Sequence, residues 1–236
     1  MKQVVLLKLS GEAMSKVDGI GIDMEKVKTI ALEIKDLIDT DISLGIVVGA
    51  GNIWRGRDAE AIGMDRVSAD QMGMLGTVLN AMALAGALET IGVKTRVMTS
   101  MQIGNMTEPF HRNHAKYALQ HDEVVIFGGG TGSPFFSTDT TAALRAAEIG
   151  AKTILMAKNG TDGVYDSDPK VNPSAKKYDQ VSIQEVIDKK LAVVDLTASV
   201  MCMENHIPMY VFGLGETNSI VNAVNGQFNG TVVTVD

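Results

Sequence analysis

The sequence predicts a single α/β domain over residues 1–236, a three-layer α/β/α sandwich around a mostly parallel sheet of about eight strands. Two observations support this fold class. Short apolar runs alternate with helical patterns along the whole chain, as in proteins built from strand-helix-strand units. The runs are apolar throughout, as expected for strands that are buried on both faces. No repeat, linker or low-complexity tract divides the chain.

The apolar runs rich in β-branched residues are predicted strands, and the segments with helical spacing are predicted helices. The strands cover Gln3–Leu9, Leu44–Val48, Val93–Met98, Val124–Phe127, Thr153–Ala157, Pro208–Phe212 and Thr231–Val235. The first helix begins near Asp23, a suitable N-cap, and carries an apolar stripe from Val27 to Ile38. The later helices cover Ser68–Ile91, His111–Gln120, Thr140–Ile149, Ser182–Asp188, Thr197–Asn205 and Ser219–Val224.

Composition excludes several functional classes. The formal net charge of -7 leaves no basic surplus to neutralise a nucleic-acid backbone, so we expect no nucleic-acid polymer as a partner. The single cysteine, Cys202, excludes an internal disulfide and is best interpreted as a small core residue. Lys8 interrupts the apolar N-terminus, which therefore does not resemble a signal peptide. No continuous apolar run is long enough to span a bilayer, so we predict a cytoplasmic protein without a membrane partner.

The most informative segment follows the strand Val124–Phe127. Four of the five residues in 128–132 are glycine, and Ser137-Thr138-Asp139 leads into the next helix. Bare backbone, hydroxyl groups and a helix N-terminus together suit an anion, most often a phosphate. The alternative is a tight strand-to-helix turn that binds no ligand.

Three further strand ends carry polar or glycine-rich segments. Lys8 ends the first strand, Gly49-Ala50-Gly51 follows the second with Arg55 and Arg57 beyond it, and the turn-rich loop 158–168 follows Thr153–Ala157. Ligands of parallel α/β sheets bind outside the carboxyl ends of the strands, so these segments are expected at one edge. The convergence predicts a phosphate-rich ligand. On the alternative interpretation, Lys8 is an edge-strand lysine facing solvent and the arginines are solvated loop charges.

Two helices leave alternatives open. Apolar residues spread around the helix Ser68–Ile91, which fits either a central core helix or a helix buried in a subunit interface. Asp70, in the first turn of this helix, either complements the helix dipole or accepts hydrogen bonds from the hydroxyls of a ligand sugar. His111, His114 and His121 lack acidic or thiol partners at metal-ligand spacing, so we predict no protein-bound metal.

The chain lacks the P-loop motif, the dinucleotide-binding glycine motif and the nucleophile elbow. Two glycine turns, a strand-end lysine, an arginine and a carboxylate fit phosphoryl transfer, which requires positioning and positive charge.

These residues resemble the amino-acid-kinase superfamily. The resemblance rests on Lys8-Leu9-Ser10-Gly11-Glu12, Gly49-Ala50-Gly51-Asn52 with Arg55-Gly56, and Asp70-Gln71-Met72-Gly73-Met74. The segment Thr131–Asp139, with Asp162-Gly163-Val164-Tyr165 and Asp168-Pro169, is similar to the bacterial uridylate kinases within it. The resemblance covers essentially the whole chain, in order. It implies transfer of the γ-phosphate of ATP to UMP, with Mg²⁺ carried on the nucleotide phosphates. It also implies a homohexamer, activated by GTP and inhibited by UTP, that serves pyrimidine nucleotide synthesis.

The resemblance also implies a role for each matching position. The catalytic residues would be Lys8, Asp139 and Arg55. ATP would bind at Lys8, Leu9, Ser10, Gly11, Gly51, Arg55, Asn159, Tyr165 and Asp168. UMP would bind at Ala50, Asp70, Thr131, Gly132, Ser133, Pro134, Phe135, Phe136, Ser137 and Thr138. The effector GTP would act through the loop Lys16, Val17, Asp18, Gly19, Ile20 and Gly21.

Two positions depart from the family pattern. Ala50 stands where many relatives have a third glycine. Its Cβ leaves open how tight that turn is. Lys158-Asn159-Gly160 replaces the Ala-Thr-Lys of many relatives, which leaves the register of the nucleotide loop open by one residue. Two other functions remain as alternatives: a kinase of the same superfamily acting on a carboxylate or carbamate, and a catalytically silent nucleotide sensor or oxyanion-storage protein.

Overall fold

The computed structural model describes residues 2–56, 62–191, 194–214 and 218–235. Within these ranges, nine strands form one sheet. They are β1 (Gln3–Leu9), β2 (Ile42–Val48), β3 (Thr95–Thr99), β4 (Glu108–Pro109), β5 (Val124–Gly128), β6 (Thr153–Lys158), β7 (Gln180–Ser182), β8 (Met209–Gly213) and β9 (Gly230–Thr234). Their order across the sheet is β4-β3-β5-β2-β1-β6-β8-β9-β7. Every pairing is parallel except that of β8 with β9.

Helices cover both faces of the sheet. They are α1 (Met24–Ile38), α2 (Arg66–Thr90), α3 (Arg112–Gln120), α4 (Thr138–Ile149), α5 (Ile183–Asp188), α6 (Leu196–Glu204) and α7 (Ser219–Val224), with a short 3-10 helix at Gly11–Met14. One core lies between the sheet and helices α1, α2 and α7, and a second lies between the sheet and α3 to α6. The predicted three-layer α/β/α sandwich is therefore confirmed.

The strand and helix predictions hold to within a few residues at each boundary. Asp23 is the N-cap of α1, where its side chain accepts hydrogen bonds from the backbone of Glu25 and Lys26. The prediction of about eight strands was slightly low, because β4 and β7 were missed. These strands are two and three residues long, too short to show a sequence period.

The order of the central strands positions the site. β1 lies between β2 and β6, and the next strand beyond β2 is β5. Because these four strands run parallel, their carboxyl ends meet at one edge of the sheet. Lys8, the turn 49–51, the turn 128–132 and the loop 158–168 lie at those ends, as the sequence predicted. Arg57, interpreted above as a loop charge, lies outside the described residues.

Helix α2 combines a core face with an exposed apolar face. Ala81, Leu84 and Leu88 are fully buried against the sheet and α1. Leu75 and Leu79 on the other side are 51% and 53% exposed. By length and composition alone α2 could cross a membrane, but more than half of its most apolar window is buried inside the fold, as in the core helix of a globular domain. Both interpretations of this helix, core and interface, therefore keep support.

Candidate active site

The centre of the site is a buried ion pair between Lys8 and Asp139. Lys8 is the last residue but one of the central strand β1 and is only 7% exposed, so its interpretation as a solvent-facing edge lysine is wrong. Its Nζ lies 2.7 Å from Oδ1 of Asp139, in the first turn of α4. A buried ammonium group requires such a partner, because leaving it unpaired away from water is very costly.

A second lysine, Lys158, binds the other oxygen of the same carboxylate. It ends β6, beside β1, and its Nζ lies 2.7 Å from Oδ2 of Asp139. Burial alone would raise the pKa of Asp139, but the charges of Lys8 and Lys158 outweigh burial and lower that pKa to about 2. Burial lowers the pKa of Lys158, and Asp139 opposes that shift. Two ammonium groups and one carboxylate leave one positive charge in excess, which suits an anionic ligand.

Two glycines let the backbone after β1 approach the backbone after β2. A Cβ at Gly11 would lie 2.6 Å from the Gly49 carbonyl oxygen and 2.6 Å from Oδ1 of Asn52, so no side chain fits there. Gly49 in turn donates its N–H to the Leu9 carbonyl over 2.9 Å. The segments that carry Lys8 and Arg55 are therefore held together at the sheet edge by close backbone contact.

Arg55 and Asn159 meet at a shared carboxylate, that of Glu12. The Arg55 guanidinium lies 2.8 Å from Oε1 of Glu12 and donates from Nε to the Gly51 carbonyl over 3.0 Å. Asn159 donates to Oε2 of Glu12 over 3.2 Å. The side chains of Arg55 and Glu12 are each 34% exposed, so this cluster faces the opening of the site.

The alanine at position 50 is accommodated by a glycine on α2. Ala50 is nearly buried, and a Cβ at Gly76 would lie only 2.9 Å from the Ala50 Cβ. The Ala50 carbonyl accepts hydrogen bonds from the N–H groups of Ile53 and Trp54, each over 2.9 Å, which closes the turn. The extra methyl group therefore packs against α2 and leaves the turn tight.

A cavity of about 190 Å³ lies between the turn after β2, the start of α2 and the turn after β5. Seven of the predicted site residues line it, namely Ala50, Gly51, Asp70, Ser133, Phe136, Ser137 and Thr138. Thr131, Gly132 and Pro134 belong to the same turn but not to this lining. Phe135 lines the adjoining cavity with Phe136 and Ser137. The structure thus brings most of the predicted acceptor residues together.

A second cavity, of about 400 Å³, opens beside Lys158. Asn159, Tyr165 and Asp168, the residues that the resemblance assigns to ATP, all line it. The Tyr165 hydroxyl donates to Asp162 over 2.6 Å, and the Lys177 ammonium binds the other oxygen of Asp162 over 2.8 Å. Asp162 thereby fixes the aromatic wall of this cavity. Lys158 lines the second cavity, while Thr138, next to Asp139, lines the first.

The loop 16–21 contacts the site directly. Gly21 donates to the Asn52 carbonyl over 2.6 Å, and the Asn52 side chain donates back to the Gly21 carbonyl over 3.0 Å. Asp18, Gly19 and Ile20 share a cavity of about 310 Å³ with Arg55. The loop therefore lies against the glycine turn that precedes Arg55.

No metal-ligand cluster occurs in the described residues. Across these ranges no group of three or more His, Cys, Asp or Glu side chains is placed to hold an ion. His114 instead binds Glu108 over 2.9 Å, and His111 packs against His114.

Sequence reasoning missed Lys158, Glu12 and Asp195 as site residues. Lys158 had a detectable signal, since it ends an apolar strand as Lys8 does. Asp195, the N-cap of α6, accepts hydrogen bonds from the hydroxyls of Ser137 and Thr140 and so fixes the start of α4. No local pattern links residues 137 and 195, so only the fold reveals this contact.

Comparisons with known proteins identify the family of the chain. Residues 3–213 match the amino acid kinase family. A uridylate kinase from Pediococcus pentosaceus is 51% identical over 229 residues, which cover 97% of this chain and 95% of that protein. The structure of UMP kinase from Ureaplasma parvum superposes with a TM-score of 0.94 at 39% identity, covering 99% of both chains. That of UMP kinase from Bacillus anthracis gives 0.95 at 38% identity, covering 100% of this chain and 97% of the other.

The chain therefore belongs to the amino acid kinase family, and its fold is that of the UMP kinase structures it matches. Within that family it belongs to the uridylate kinases, because its similarity to them extends over nearly its full length.

The ion pairs of Asp139 predict an acid-sensitive contribution to stability. A carboxylate whose pKa is lowered by folding stabilises the fold above its unfolded pKa, and this contribution is lost as the pH falls through the folded pKa. We expect Asp139→Asn to lower the free energy of unfolding at pH 7 by about 3 kcal/mol, because it leaves two buried ammonium groups without their counter-charge. The deficit should shrink as the pH falls from about 4 toward 2.

Urea denaturation of wild type and variant at pH 7, 4 and 3 measures this difference. Asp122→Asn is the matched control, because Asp122 forms an exposed ion pair with Lys2 and should change stability little. A deficit for Asp139→Asn that stays constant with pH would contradict the buried pairing.

Proposed function

We propose that the chain catalyses transfer of the γ-phosphate of ATP to UMP, giving UDP and ADP. The observation that carries the proposal is the Lys8–Asp139–Lys158 cluster beside two cavities lined by the predicted acceptor and ATP residues. The relatives named uridylate kinase and UMP kinase support UMP as the acceptor.

The transfer breaks the bond between the γ-phosphorus and the oxygen bridging to the β-phosphate. An oxygen of the UMP phosphate forms the new bond. The second pKa of a phosphomonoester is about 6, so this oxygen is already ionised at neutral pH and needs no general base. The protein must instead hold two anions in line and stabilise the negative charge on the transferring group.

The two lysines supply that stabilisation. We propose that Lys8 and Lys158 direct their ammonium groups at the transferring phosphoryl group, with Asp139 as the residue that orients both. Because the three side chains are only 8% to 15% exposed, their charges interact with the transition state more strongly than they would in water. Arg55 adds a guanidinium group from the turn after β2. Magnesium would arrive on the ATP phosphates as part of the substrate.

The cavity of about 190 Å³ is the proposed UMP site. Asp70 would accept hydrogen bonds from the ribose hydroxyls. Ala50 and the segment Thr131–Thr138 would surround the phosphate and base. The cavity of about 400 Å³ is the proposed ATP site, with Asn159, Tyr165 and Asp168 around the adenine nucleotide. Leu9, Ser10, Gly11 and Gly51 would support its phosphates from the ends of β1 and β2.

Regulation by GTP and UTP is a further part of the proposal. The loop 16–21 would carry the GTP response, since its hydrogen bonds to Asn52 connect it to the turn that holds Arg55. We also propose a cytoplasmic homohexamer. An exposed apolar stripe on α2, formed by Met72, Leu75, Leu79 and Met82 at helical spacing, supports assembly through this helix.

An acceptor panel tests the reaction. ADP release is measured with ATP and magnesium, using UMP beside CMP, dUMP, carbamate, acetylglutamate and aspartate. We expect UMP to be the best acceptor by a wide margin. Turnover with a carboxylate or carbamate instead would assign the chain to another reaction of its superfamily. ATP binding without turnover of any acceptor would favour a nucleotide sensor.

Substituting the two lysines tests their role in the transition state. We expect Lys8→Ala and Lys158→Ala each to lower kcat at least about 100-fold while changing UMP affinity much less, because each lysine acts mainly on the transferring group. Steady-state kinetics and UMP titration by calorimetry measure the two quantities. Lys116→Ala on α3 is the control, because Lys116 lines neither proposed nucleotide cavity. Normal kcat in either lysine variant would exclude that lysine from catalysis.

Charges on the α2 stripe test the assembly. We expect the double substitution Leu75→Asp and Leu79→Asp to give smaller species, because carboxylates are costly in an apolar interface. Light scattering after size-exclusion chromatography measures the mass. Val171→Asp, at an 82% exposed position in the loop after β6, is the control and should leave the mass unchanged. A wild type that is already monomeric would refute the hexamer.

A further inference from the structure

We infer that Arg66 is a positioning residue for the acceptor nucleotide, acting through Asp70 and Phe135. The inference rests on the proposed function, since it concerns the same UMP site. Arg66 is the first residue of α2, one turn before Asp70. It was not among the residues predicted from the sequence.

The first observation is the set of contacts on the Asp70 carboxylate. Nε of Arg66 lies 3.1 Å from Oδ1 and 3.0 Å from Oδ2 of Asp70. The backbone N–H of Phe135 donates to Oδ2 over 2.8 Å. A carboxylate has about four acceptor positions, so these contacts fix its orientation and still leave room for a hydroxyl donor. Asp70 therefore has a defined orientation before any sugar binds.

The second observation is the backbone of Phe135. Its φ is +74°, a left-handed conformation that a bulky residue adopts only when the surroundings enforce it. Burial of the side chain does not enforce this conformation, because Phe135 is 62% exposed. The stabilising contacts are the hydrogen bond to Asp70 and the Arg66 guanidinium, which lies 5.6 Å from the centre of the Phe135 ring.

The third observation is location. Asp70 and Phe136 line both the cavity of about 190 Å³ and the adjoining cavity of about 540 Å³. Arg66 and Phe135 line the larger of the two. The Arg66–Asp70–Phe135 contacts therefore hold the segment 131–138 against the start of α2, beside the proposed UMP site. Losing Arg66 frees both the carboxylate and the strained segment while leaving the Lys8–Asp139–Lys158 cluster in place.

The position of Arg66 predicts a change in KM without a change in kcat. We expect Arg66→Ala to raise the KM for UMP about tenfold, because a displaced Asp70 carboxylate forms weaker hydrogen bonds with the ribose hydroxyls. The kcat and the KM for ATP should stay within about twofold of wild type, because the phosphoryl-transfer groups are untouched. Arg66→Lys should fail to restore the KM, since an ammonium group cannot reproduce the planar guanidinium that contacts both carboxylate oxygens and the ring.

Arg112→Ala is the matched control. Arg112 is also the first residue of a helix, α3, and its Nε donates to the Glu148 carbonyl over 2.8 Å. The substitution Arg112→Ala removes an arginine side chain from the same helix position without affecting Asp70. Both KM values should remain those of wild type. Because Arg66 is 56% exposed, its removal should leave the fold intact, which circular dichroism checks.

A double-mutant cycle separates action through Asp70 from an independent effect. Because Asp70 accepts from both Arg66 and the Phe135 N–H, the variant carrying Arg66→Ala and Asp70→Ala should have the same KM for UMP as Asp70→Ala alone. Additive effects, or an Arg66→Ala enzyme with a wild-type KM for UMP, would overturn the inference. Should Arg66→Ala fail to fold, Arg66→Gln replaces it in the cycle, with a smaller rise expected. A wild type that does not turn over UMP would instead refute the proposed function.

Discussion

The site depends on one buried carboxylate shared by two lysines. Asp139 provides the shared counter-charge for two ammonium groups that the ends of β1 and β6 bring to the same point. The pairing also explains the low pKa of Asp139, about 2, because both lysine charges favour the carboxylate over its neutral form. Since these three groups together carry one positive charge in excess, the cluster favours binding of an anion at the sheet edge.

The rest of the structure positions that cluster. Parallel strands bring Lys8 and Lys158 together, and α4 supplies Asp139 from its first turn, where Ser137 caps the helix and Asp195 holds Ser137. Glycines at positions 11 and 49 allow the neighbouring turns to approach within backbone contact, which places Arg55 on the same edge. Polar anchors also fix the two flanking cavities, through Asp162 beside one and Asp70 beside the other.

Much of this arrangement follows from sequence pattern. Buried parallel strands are recognisable as unbroken apolar runs, so the fold class and the convergence of Lys8, the glycine turns and the 158–168 loop were predictable. The tertiary contacts were not. Asp195 reaches Ser137 across 58 positions of sequence, and the hydrogen bond from Phe135 to Asp70 spans 65. Lys158 ends β6 but also begins the turn-rich loop 158–168, so the sequence pattern groups it with that loop and not with Lys8. Gly76, which makes room for Ala50, shows that a departure in one turn can be offset on a helix distant in sequence.

The most direct test is a structure of the protein with UMP, ADP, magnesium and a fluoride mimic of the transferring phosphoryl group. We expect the ammonium groups of Lys8 and Lys158 both to lie about 3 Å from the mimic, with Asp139 still between them. UMP should occupy the cavity beside Asp70, and ADP the cavity beside Tyr165. A mimic bound away from both lysines, or nucleotides in exchanged cavities, would contradict the proposed catalytic site.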